Sequence, residues 1–64
     1  MFKLFYYANI VNPDLLFTDD NLGPCIEFIK NSNLCPQQCV IVTPNNRRVT
    51  FNSDNEMVFS NFVA

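Results

Sequence analysis

The sequence predicts an α+β domain: a small antiparallel four-stranded sheet in β-α-β-β-β order, with one short helix packed on one face. Three observations lead there. Residues 2–11 are rich in aromatic and β-branched types and contain no glycine or proline, which is strand composition. Leu22, Cys25, Phe28 and Ile29 recur at helical spacing around Pro24. Pro44, Asn45, Asn46 and Arg47 form a turn-rich cluster between two further strand-like stretches.

The first strand alternates Phe2, Leu4, Tyr6, Ala8 and Ile10 on one face with Lys3, Phe5, Tyr7, Asn9 and Val11 on the other. It ends at Asn12-Pro13, because proline supplies no ladder hydrogen bond and restricts the residue before it. Residues 13–21 are expected to connect strand to helix, with a helical turn from Pro13 capped by Asn12, and with Leu15, Leu16 and Phe17 lying over apolar surface. The helix is expected over 24–32, with Pro24 first, Glu27 and Lys30 on its outer side, and Asp19 and Asp20 available as caps. A helix of this length is marginal alone, so it must dock on the sheet. Residues 39–43 and 48–52 form a hairpin about a tight primed turn in which asparagine tolerates positive φ. A second turn at 53–56 leads to a last strand at 57–63. Residues 1–64 read as one domain without repeats or linkers.

Of the 64 residues, 48% are hydrophobic and 16% charged, a balance that excludes disorder. A chain this short buries only roughly 60% of its extended-chain surface, so its core is small. Four basic residues against six acidic ones give a net charge of −2, which disfavours phosphate-driven nucleic-acid binding. The acidic residues do not mimic DNA either, since Asp19-Asp20 is their one adjacent pair. The apolar run 2–11 falls short of the roughly 20 residues that span a bilayer, and no basic region or cleavage site of a secretory signal accompanies it. The expectation is a soluble, complete chain with no membrane contact.

Cys25, Cys35 and Cys39 are odd in number and point to reduced thiols in a cytoplasmic, reducing compartment. Cys35-Pro36-Gln37-Gln38-Cys39 has three intervening residues where a redox pair or half a zinc ribbon has two, and three thiols without histidine leave a tetrahedral site one ligand short. The expectation is no metal and no cofactor, the cysteines acting as small buried hydrophobes. With no histidine as general base and a single glycine, neither a nucleophile triad nor a phosphate cradle can be built, so no enzyme activity is expected.

The apolar surplus is the functional signal. One helix covers one face of a sheet, yet large side chains fall on both faces of the first and last strands. The sequence therefore predicts a non-catalytic protein-binding module that presents an apolar, aromatic sheet face or edge, with Phe5, Tyr6, Tyr7, Val58 and Phe62 as contacts and Arg47 and Arg48 as rim charges. The partner is another protein, a second copy as a homodimer, or both. Ten asparagines and seven phenylalanines suit an AT-rich genome, and with it a viral or phage accessory protein that binds and inhibits a host factor. The competing expectations are an obligate homo-oligomeric structural or assembly protein and, behind it, a cysteine-based metal or redox switch.

Overall fold

A computed structural model describes residues 1–8 and 11–61, with the backbone alone at Asn61. Five strands and one α-helix follow in the order β1 (Phe2–Tyr6), β2 (Asp14–Asp19), α1 (Leu22–Asn31), β3 (Cys39–Val42), β4 (Arg47–Phe51) and β5 (Met57–Asn61), with a single 3-10 turn at Pro36–Gln38 before β3. The strands form one sheet ordered β2-β1-β3-β4-β5, and every neighbouring pair is antiparallel. The α+β class and the antiparallel sheet stand as expected; the sheet has five strands where four were expected.

The extra strand is β2. Residues 14–19 form no helical turn; they fold back on β1, pairing Phe17 with Leu4 and Leu15 with Phe5. Leu15 and Phe17 are two apart, the strand period, but Leu16 sits between them as a bulge where the register shifts, and this hides the alternation in the sequence. Pairing also satisfies the backbone groups that a lone β1 edge would leave open. The first strand is correspondingly shorter than expected, ending at Tyr6. The Tyr7 N–H donates instead to the Gln38 carbonyl (2.8 Å). Asn9 and Ile10, expected in that strand, lie outside the described residues, as do positions 62–64 of the expected last strand.

The helix starts two residues before Pro24. Proline is tolerated throughout a first turn, where the N–H groups have no partner inside the helix. Asn21 is the N-cap without a side-chain bond, and the Asp19 carboxylate accepts the Asn21 N–H (2.9 Å) one step further out. The C-terminus is a Schellman arrangement: the Asn33 N–H donates to the Lys30 carbonyl and the Leu34 N–H to that of Ile29. Asn33 carries the positive φ (54°) this requires, and Leu34 packs back on the core.

Asn46 and Asn55 hold the same left-handed conformation in the two hairpins (φ 61° and 62°). In each, an N–H to carbonyl bond closes a turn just before this asparagine, Asn46 to Thr43 (3.0 Å) and Asn55 to Asn52 (2.9 Å). These are three-residue loops ending in one left-handed residue, where a tight primed turn, with its two-residue loop, was expected. Gln37 ties the second loop down, its side-chain amide donating to the Asn52 carbonyl (2.6 Å) and to Asn55 Oδ1 (2.7 Å).

Directly paired residues share a face. A single row, Phe17, Leu4, Ile41, Val49 and Phe59, therefore crosses all five strands. Leu4, Ile41 and Val49 are fully buried, and with Cys39 on the same side and Cys25 and Ile29 from the helix they make the core. Phe28 extends it to the sheet edge by stacking on Phe17, ring centroids 4.9 Å apart.

If Asn33 is needed for its left-handed backbone, Asn33→Gly keeps or slightly raises the urea midpoint. Asn33→Val lowers stability by about 1–2 kcal/mol, the cost of a branched side chain at positive φ. Equal midpoints for the two variants would remove the helix-stop role assigned to this residue.

Candidate functional site

The face of the sheet away from α1 is built by the alternate residues of the same strands. Lys3, Val42, Arg48 and Ser60 form one row across it, with Thr18 beyond Lys3 on β2. A second row brings Leu15, Phe5 and Val40 together, while Thr50 stands opposite Val58 at the other end. No described element covers this face; Phe5, Val40 and Val42 are only half-buried, and Leu15 and Val58 are exposed. Phe5, Tyr7, Val40, Val42, Pro13 and Arg48 surround a shallow hollow of about 210 Å³.

The walls follow from local structure. Phe5 projects here because Leu4 beside it is committed to the core, and strands alternate. Tyr7 lies just past the end of β1, held by its backbone bonds: its N–H donates to the Gln38 carbonyl and its carbonyl accepts from Gln38 Nε2 (3.1 Å). Lys3 and Arg48 flank Val42 in one row, so cationic side chains border the apolar strip.

The residues singled out from the sequence divide between the two faces. Phe5, Tyr7, Arg48 and Val58 belong to the open face. Tyr6 lies on the helix side, half-buried against the core with its hydroxyl near Gln38 Oε1 (3.4 Å). Arg47 is exposed but pairs with Asn61 in the helix-side register. Phe62 lies outside the described residues. Val40, Val42, Leu15 and Pro13 belong to this face without being predicted from the sequence. The alternation of each strand was visible, but knowing that β3 lies against β1 requires the strand order.

The cysteines are three free thiols, with Cys25 and Cys39 buried and Cys35 exposed. The Cys39 thiol donates to the Cys35 carbonyl (3.4 Å) across the 3-10 turn, and the Cys25 thiol points to the Asn21 carbonyl (3.7 Å). Burial pushes the Cys39 thiol up from 9.0 to about 11, the neighbouring Cys35 adding to it. Cys25 is raised for the same first reason, with the Asp19 carboxylate contributing. Both are held as neutral thiols, the form that neither attacks nor ligates well. Among the described residues no group of three or more His, Cys, Asp or Glu side chains is placed to hold a metal ion. Among them, too, no helix is long and apolar enough to cross a membrane.

Comparison of the chain with known protein families, with curated proteins and with solved structures gives no match.

The raised Cys39 value predicts an alkaline weak point. Its stabilising contribution is fully present below about 9, where folded and unfolded chains both carry the proton. Between 9.0 and about 11 the unfolded chain releases that proton while the folded chain retains it, so stability falls as pH rises. Urea midpoints measured on either side of this window should drop in the parent chain and drop less in Cys39→Val, which keeps a buried apolar strand residue but cannot titrate. The same drop in both chains would assign the alkaline loss to other groups.

Proposed function

We propose that this chain is a non-catalytic protein-binding module that docks a partner protein against the open face of its sheet. The observation that carries this reading is the Phe5, Tyr7, Val40 and Val42 surface, which no element among the described residues covers, α1 lying on the other side. Small-molecule sites enclose roughly 300–1,000 Å³. The hollow here, at about 210 Å³ and shallow, suits a single large side chain projecting from a protein surface. Lys3 and Arg48 beside Val42 favour a partner segment in which that apolar anchor is flanked by carboxylates.

The chemistry available supports binding over catalysis: the sequence has no histidine, and burial keeps Cys25 and Cys39 as neutral thiols. A module of this kind acts by covering a functional surface of its target. The asparagine- and phenylalanine-rich composition favours a viral or phage protein doing so to a host factor, and three free cysteines favour a reducing cytoplasm.

The test is capture from a host lysate with the parent chain, Phe5→Thr and Tyr7→Ala side by side, each checked for an unchanged circular dichroism spectrum. Phe5→Thr puts a strand-favouring β-branched residue in place of the aromatic one while removing the ring from the hollow. Loss of an interface anchor costs about 2 kcal/mol or more, so the captured protein should fall by at least roughly thirtyfold in affinity. Undiminished capture by both folded variants would show that the contact face lies elsewhere.

A further inference from the structure

The two edges of the sheet are not alike. β2 carries Asp14 and Asp19 at its ends and a bulge at Leu16, the devices that keep a sheet edge from pairing with another chain. β5 has none of them. Met57–Asn61 contains no charge and no proline, and pairs with β4 in unbroken register. Its first three residues are apolar and exposed, Met57 by 43%, Val58 by 42% and Phe59 by 52%.

The ladder fixes which backbone groups are on offer. The Asn52 N–H donates to the Glu56 carbonyl (3.0 Å), so this is a hydrogen-bonded pair. Bonded and non-bonded pairs alternate along an antiparallel ladder, which turns the N–H and C=O groups of Val58 and Ser60 towards β4 and those of Met57 and Phe59 outward.

We propose that this edge pairs with the same edge of a second copy, antiparallel about a two-fold axis through Val58, so that two five-stranded sheets become one. In that register Met57 of each copy stands opposite Phe59 of the other, and each of these two pairs exchanges two backbone hydrogen bonds. On the helix side, Phe59 is the exposed end of the row whose interior members, Leu4, Ile41 and Val49, are fully buried; the second copy's Met57 continues that row. On the open face, Val58 meets Val58. Glu56, just before β5 and in phase with Val58 and Ser60, then faces Ser60 of the second copy, behind which stands that copy's Arg48. The two Cα atoms are about two strand spacings apart, roughly 10 Å, with only a serine between the long side chains. Symmetry makes this charge pairing twice, with opposite signs meeting each time. Moving the axis to Phe59 sets Met57 against Asn61 and takes Glu56 out of line with Ser60. The apolar triplet and the charges together therefore select one register and a partner identical to the chain itself.

The test is sedimentation of the whole chain from micromolar to millimolar concentration, with reductant present because Cys35 is exposed. The mass should rise from 7.4 kDa towards twice that value. Amide exchange at Met57 and Phe59 should slow as concentration rises, while Val58 and Ser60 are protected throughout. Glu56→Arg creates two like-charge contacts per interface and should weaken the dimer about tenfold. Adding Arg48→Glu in the same chain reverses both charges and should restore it. Arg48 borders both surfaces, so they are told apart by the other two positions: Phe5→Thr, which tests the open-face hollow, should leave the dimer unchanged, and Glu56→Arg should leave the hollow unchanged. A mass of 7.4 kDa at every concentration, a dimer without slowed exchange at Met57 and Phe59, or a folded double variant that stays weak would each overturn the proposal.

Discussion

The structure depends on how much sheet one short helix can keep dry. Ten residues of α-helix are about 15 Å long and roughly 10 Å across, while five strands span about 19 Å between the outermost backbones. The helix, which lies against β2 and β1, therefore leaves the β5 end of its own face uncovered and covers none of the other face. Its buried side chains, Cys25 and Ile29, meet the middle of the cross-sheet row, and Phe28 reaches β2 through Phe17. At the far end, Phe59 belongs to the same row yet lies beyond the helix, more than half exposed. The dependence is mutual, because a helix of this length does not persist in water without an apolar surface to dock on.

Asparagine takes the place of glycine in setting the chain's direction. The left-handed conformation costs a non-glycine residue about 1–2 kcal/mol, and asparagine, with a short polar side chain, bears it best. Asn33, Asn46 and Asn55 use it at the helix end and at both hairpins, so the three turns that set the positions of β3, β4 and β5 share one device. The Asn52 side chain reinforces the last of them by accepting the N–H groups of Asp54 (2.9 Å) and Glu56 (3.0 Å). That turn fixes the phase of β5, and with it the alternation that turns Met57 and Phe59 one way and Val58 the other.

Much of this was legible in the residues themselves. The alternation of Phe2, Leu4 and Tyr6 against Lys3, Phe5 and Tyr7 assigns the faces of β1 correctly, and the helical spacing of Leu22, Cys25 and Ile29 finds α1. β2 was hidden because its bulge at Leu16 makes Leu15-Leu16-Phe17 an unbroken apolar run with no readable period. The helix boundary was misplaced because Pro24 marks a first turn and not a unique position within it. Candidate contacts that are consecutive in sequence were split by the same alternation: Phe5 and Tyr6 cannot share a face in a strand, nor can Arg47 and Arg48. The open-face hollow needs Val40 and Val42 from β3 beside Phe5 from β1, a neighbour relation that no local pattern encodes.

If α1 dries one face and no other described element covers the second, solution NMR of the dilute chain shows the difference directly. Nuclear Overhauser contacts should join the Ile29 methyl groups to the row formed by Leu4 and Ile41. A soluble paramagnetic probe should broaden Val40, Val42 and Phe5 while sparing Ile41 and Val49. Protection of Val42 and Phe5 from the probe in the monomer, or Ile29 contacts to Val42 in place of Ile41, would mean that the helix lies on the other face.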